Sequence, residues 1–140
     1  MKEYKSNLEI VKLLDNPLST QKQIAELRRL IKPLPNENES RIVSYLENGK
    51  KLFLTPLAVY DWLGDENKFI SGASICTDGT WFWREYLSYF VKTYHFQLQD
   101  NIINHMINNN WAIPEISYDH EKFLVAEYYK LREIEKNKSP

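Results

Sequence analysis

Residues 73–94 read ASICTDGTWFWREYLSYFVKTY, and this stretch decides the fold. Asp78-Gly79 lies between two runs of strand-forming residues, and Arg84 opens a segment with helical spacing. An Asp-Gly pair in that setting predicts a β-hairpin with a two-residue type I′ turn, since both central positions of that turn need positive φ. The unit therefore reads strand, tight turn, strand, helix. With this turn Thr77 pairs with Thr80, Cys76 with Trp81, Ile75 with Phe82 and Ser74 with Trp83. Alternation places Ile75, Thr77, Thr80 and Phe82 on one face and Cys76, Trp81 and Trp83 on the other. Large apolar groups stand on both faces, so the hairpin is covered on both sides or leaves one face for a partner. The helix that follows aligns Leu87, Phe90, Val91 and Tyr94.

A lone hairpin is marginal in water, and Leu52-Phe53-Leu54 is the expected third strand. Between that strand and the hairpin, Thr55-Pro56 and Gly64 bracket a predicted helix, with threonine as cap, proline in the first turn and glycine past the end. Asp61 then falls near its C-terminus, where a carboxylate opposes the helix dipole. A local violation of that kind points toward a functional site.

Upstream, Ser6 with Glu9 and Thr20 with Gln23 have capping-box spacing. They predict two short helices packed as an antiparallel hairpin over residues 1–34, with Leu8, Val11 and Leu14 on the first and Ile24, Leu27, Leu30 and Ile31 on the second. The polar stretch PLPNENES at 33–40 links them to a core unit over 40–111. Ile42, Val43 and Leu46 suggest a helix closed by Gly49 in a left-handed conformation. Beyond Tyr94, a helix capped by Asp100 carries Ile103, Met106, Ile107 and Trp111 on one side. Its other side is rich in asparagine, at 101, 104, 108 and 109, so packing must hold it together. A last helix, 119–136, turns Leu124, Tyr128 and Leu131 inward. The fold class expected is α+β: one mainly helical domain with a small antiparallel sheet built on the 73–83 hairpin.

Composition bounds the function. The chain has 140 residues and a formal net charge of −1, which argues against general nucleic-acid binding. Charge is unevenly spread: residues 1–35 carry a net of +3, 36–67 a net of −3, 68–120 a net of −2 and 121–140 a net of +1. One cysteine excludes an internal disulfide and fits a reducing compartment. No run approaches the length of a membrane span and the N-terminus lacks a signal-peptide core, so a cytoplasmic protein is expected.

Candidate chemistry is thin. His95, His105 and His120 are spaced by ten and fifteen residues with no metal-ligand pattern, and neither metal nor cofactor is expected. Cys76 sits mid-strand, where a buried hydrophobe is the ordinary role. Asp78 and Glu85 lie at opposite ends of the second strand, too far apart to cooperate unless the chain folds back. Trp81, Trp83 and Arg84 form either an aromatic platform or a packed core. Four scattered glycines make no phosphate loop.

Thr77-Asp78-Gly79-x-Trp81-x-Trp83, followed by Leu87-x-Tyr89-x-Val91-x-x-Tyr94, with Tyr45-Leu46-x-x-Gly49, Thr55 and Asp61 upstream, resembles a group of small bacterial proteins of uncharacterised type. The resemblance covers roughly residues 42–111. Such proteins are similar in size and character to immunity proteins of toxin–immunity systems. The resemblance implies a non-catalytic inhibitor that occludes a basic toxin domain with an acidic surface. The residues expected at that surface are Asp61, Trp62, Asp65, Glu66 and Glu85, with Trp62 as aromatic anchor. Asp78, Gly79, Trp81 and Trp83 are expected to be structural. The alternative from another class is a small hydrolase using carboxylates or Cys76 near the hairpin.

Overall fold

The computed structural model describes residues 4, 7–17, 20–53 and 55–138. Its centre is the predicted hairpin, β5 (Ile75–Thr77) and β6 (Trp81–Arg84), flanked by β2 (Lys50–Phe53) and β1 (Glu9–Ile10). The strand order is β1-β6-β5-β2. Pairing is antiparallel except between β1 and β6, which run parallel, so the sheet is mixed rather than purely antiparallel. A separate two-stranded antiparallel sheet joins β3 (Ala58–Tyr60) to β4 (Phe69–Gly72). Five helices complete the chain: α1 (Gln21–Arg28), α2 (Glu39–Glu47), α3 (Leu87–Tyr94), α4 (Asp100–Asn108) and α5 (Tyr118–Lys138). The α+β class stands.

The hairpin turn differs from the expectation. Thr77 pairs with Phe82, Cys76 with Trp83 and Ile75 with Arg84, two residues out of the predicted register. The connection is therefore a four-residue loop, Asp78 to Trp81, not a type I′ turn. Within it Gly79 has φ +99°, while Asp78 is not among the positive-φ residues. Side chains reinforce a long backbone bond across this loop, from Asp78 N to Trp81 O at 3.4 Å. The Asp78 Oδ1 atom accepts from the amides of Thr80 at 2.9 Å and Trp81 at 2.8 Å, and Thr77 Oγ1 accepts from Gly79 N at 3.0 Å. A two-residue slip keeps every side chain on its predicted face.

Both faces are covered. Cys76, Trp81 and Trp83 join the larger core with Ile42, Tyr45 and Leu46 of α2, Phe90 and Val91 of α3, and Ile102 and Met106 of α4. Ile75 and Phe82 pack on the opposite side with Leu8, Ile10, Leu52 and, from α5, Leu124 and Tyr128. Trp81 and Trp83 are 6% and 1% exposed, and the Trp83 indole donates to Leu46 O, so they form core and no platform. Arg84, instead of facing a ligand, donates to the carbonyls of Asp15 and Ala73.

Three local expectations are overturned. The N-terminal helical hairpin is replaced by a strand and a helix: Glu9–Ile10 adds to the edge of β6, where Val11 N donates to Phe82 O. Leu8, Val11 and Leu14 are buried as expected, but by an extended chain. The Ser6 cap lies outside the described residues, as does Leu54 at the end of the third strand, whereas the Thr20–Gln23 capping box forms. Gly49 does not terminate α2 in a left-handed conformation; Asn48 caps it, and Gly49 is needed because a Cβ there would overlap the Trp83 indole. Last, the segment bracketed by Thr55-Pro56 and Gly64 is a strand and a turn. Val59 is buried between exposed Ala58 and Tyr60, the period of two that marks a strand with one buried face.

Candidate functional site

The β3–β4 hairpin presents most of the predicted contact residues, though not in their predicted roles. Asp61 follows β3 and is 3% exposed. Its Oδ1 accepts from Leu63 N at 3.1 Å and Gly64 N at 2.9 Å, its Oδ2 from Tyr89 OH at 2.7 Å, and Tyr94 OH lies 2.7 Å from both oxygens. No helix ends there, so the supposed conflict with a dipole does not arise. A carboxylate so enclosed caps its own turn and ties the hairpin to α3, rather than standing on the surface as expected. Tyr94 stays protonated well above the usual tyrosine range because burial, then the hydrogen bond to Asp61, disfavours its anion.

Trp62 is half-buried against Tyr86 and Phe90, with ring centroids 5.7 and 4.9 Å away. It is a packing residue and not an exposed anchor. Glu85 is also withdrawn: its side chain is 17% exposed, pairs with Lys51 Nζ at 3.0 Å and accepts from Ser74 N at 3.3 Å. Only Asp65 and Glu66 stand fully exposed, at the tip of the loop between β3 and β4. Asp65 stiffens that tip by accepting from Asn67 N at 2.9 Å, and its carbonyl accepts from Lys68 N at 2.9 Å.

Two aromatic residues not singled out in the sequence lie beside them. Tyr60 and Phe69 are cross-strand partners, 44% and 58% exposed, with rings edge to face at 5.8 Å. The signal for them was the alternation Ala58-Val59-Tyr60, readable once this segment is taken as a strand. Lys68, next along, reaches over the Tyr89 ring at 5.2 Å. The hairpin thus carries an exposed aromatic pair on its strands and two exposed carboxylates in its loop, on a base anchored by Asp61.

A second polar constellation surrounds Asp78, whose side chain is fully buried. Beyond the two turn amides, its Oδ2 accepts from Tyr45 OH at 2.5 Å and faces His105 Nε2 at 3.1 Å. Asn109 Nδ2 donates to Tyr45 OH at 2.9 Å. Burial and the neighbouring Asp78 hold the Tyr45 hydroxyl protonated well above the ordinary range. The structural role expected of Asp78 is therefore present, with additional partners brought from α2 and α4. Cys76, by contrast, is 5% exposed and its thiol is pushed up to about 12, chiefly by burial. Burial of this kind disfavours the thiolate that nucleophilic attack requires. Of the remaining histidines, His95 Nδ1 meets Glu39 at 2.8 Å, and His120 stacks on Tyr4 at 4.4 Å.

No family model, curated protein or solved structure matches the chain. Among the described residues, no helix is long and apolar enough to cross a membrane.

Proposed function

We propose that this chain is a binding protein of the immunity type, which inhibits a basic toxin domain by occluding it with the β3–β4 hairpin. The observation that carries this reading is the exposed Tyr60–Phe69 pair beside Asp65 and Glu66. Large aromatics dominate contact energies when a partner desolvates them, and nearby carboxylates steer a basic surface into register. The buried Asp61 network supports the reading too, because a pre-ordered surface loses less entropy on binding. Occlusion needs no chemistry in the hairpin itself.

The test is co-expression with toxin domains encoded beside the gene, followed by growth and complex measurements. Rescue and a stable complex are expected with one of them. Within that complex Asp65→Lys with Glu66→Lys should slow association and weaken affinity by about tenfold or more, with a flattened salt dependence. Tyr60→Ala with Phe69→Ala should raise the dissociation rate instead. Failure of every neighbouring toxin to be neutralised or bound would overturn the reading.

A further inference from the structure

The asparagine-rich face of α4 has no place in the hairpin surface, and neither does His105, which sits on it. His105 is 18% exposed at its side chain and borders two cavities, of about 250 and 300 Å³. The smaller one also meets His120, Asn109 and the Gly79–Thr80 loop. The larger one meets Asn101, Asn104 and Asn108.

The tautomer of His105 follows from its neighbours. Nε2 lies 3.1 Å from an oxygen of the buried Asp78 carboxylate. Two lone pairs at that distance would repel, so Nε2 carries the proton and donates it to Asp78. Asn109 Nδ2, 3.3 Å from the same nitrogen, then turns its hydrogen to Tyr45 OH. The lone pair of His105 is left on Nδ1, which has no hydrogen-bond partner among the described residues. A carboxylate bonded to one imidazole nitrogen fixes the ring's tautomer and orientation and leaves the other nitrogen as the acceptor. His95 has the opposite arrangement, with its Nδ1 engaged by Glu39.

We infer that His105, oriented by Asp78, is the general base of a small hydrolytic site that takes an uncharged carboxylic ester. The charge of the cavities selects that class. Among the described residues no lysine or arginine lines either cavity, and Glu9 and Asp78 contribute acid groups, so these residues offer a phosphate ester no fixed cation. Asparagine amides along the larger cavity supply donors suited to an ester carbonyl. In the reaction Nδ1 removes a proton from water as the water oxygen bonds to the acyl carbon. The carbon–alkoxide bond then breaks, and the leaving alkoxide takes the proton back from Nδ1. Acid and alcohol are released, and His105 returns to its starting state. This activity is separate from the binding proposed for the hairpin, and either can fail without the other.

The experiment uses the full chain with p-nitrophenyl acetate as probe. The expected rate exceeds that of an equal concentration of free imidazole by about a hundredfold, and His105→Gln removes that excess. His95→Gln should leave the rate unchanged. Asp78→Asn retains an acceptor for the turn amides but not the charge, and should lower the rate by about tenfold or more while circular dichroism reports a folded chain. Nitrogen-15 shifts of His105 supply a readout that does not depend on folding of a variant, and should show the Nε2–H tautomer. A wild-type rate no greater than imidazole, full activity in His105→Gln, or an Nδ1–H tautomer would each overturn the assignment.

Discussion

Asp61 and Asp78 are two buried aspartates that each cap a turn, and they differ in what completes their shell. Around Asp61 the donors are two amides and two tyrosine hydroxyls. Around Asp78 they are two amides, one tyrosine and the imidazole of His105. The first arrangement is closed: it fixes a hairpin on α3 and presents other residues outward. The second ends in a group that can exchange a proton and that borders open space. Similar local chemistry thus serves support in one region and opens onto candidate reactivity in the other. The deciding difference is the single substitution of an imidazole for a phenol.

Removing the carboxylates should have the largest effect. Asp61→Ala leaves two amides and two hydroxyls without their acceptor at a buried site. A loss of about 3–5 kcal/mol is expected in chemical denaturation. Asp78→Ala should lose a similar amount. If the comparison is right, the two losses add, because the networks share no residue. Marked non-additivity would show that the two turns form one unit.

Next in size is the removal of single hydroxyls. Tyr94→Phe leaves Asp61 with Tyr89 and both amides and should cost about 1 kcal/mol. Tyr45→Phe should cost more, about 2 kcal/mol, because it also strands the Asn109 amide. The same tyrosines contribute to the alkaline limit, together with Tyr86 and Tyr128, whose hydroxyls burial also holds protonated above the ordinary range. All four have folded-state values raised above the unfolded value of about 10, so the folded chain keeps protons that the unfolded chain releases. Their contribution is fully present below about pH 10 and is lost as pH rises above it. Denaturation midpoints measured from pH 8 upward should fall beyond pH 10, and the slope should be shallower in either phenylalanine variant. A midpoint independent of pH across this range would contradict the buried, protonated hydroxyls.

What the sequence disclosed follows the range over which each cause acts. The faces of β5 and β6, the apolar stripe of α3 and the inward residues of α5 were readable because period alone determines them. The turn register was not, since Asp-Gly satisfies both a two-residue turn and the side-chain-capped loop observed, and only Tyr45 and His105, 33 and 27 residues away along the chain, favour the latter. Residues 57–63 misled for a related reason. Threonine, proline and glycine mark the ends of helices and of strands alike, and the cross-strand match of Tyr60 with Phe69 is nonlocal. At the candidate surface, the exposure of Asp65 and Glu66 was legible because loop carboxylates are exposed by default. Asp61 was misassigned, since nothing local reveals that Tyr89 and Tyr94 converge on it. His105 and Asp78 were each visible, but their pairing was not.

The smallest expected effect is the one that best separates support from presentation. Asp65 and Glu66 lie only a few residues from Asp61, yet both are exposed and neither belongs to an ion pair seen among the described residues. Charge reversal at both should therefore shift folding stability by no more than about 0.5 kcal/mol. Lysine at 65 does sacrifice the hydrogen bond to Asn67 N, an exposed amide that water can serve equally well. Thermal melts of the double variant should overlay those of the native chain, while binding to a neutralised toxin falls. A drop in stability comparable to Asp61→Ala would mean that the loop tip helps to hold the hairpin. The carboxylates would then have been retained for folding, and the surface would need another explanation.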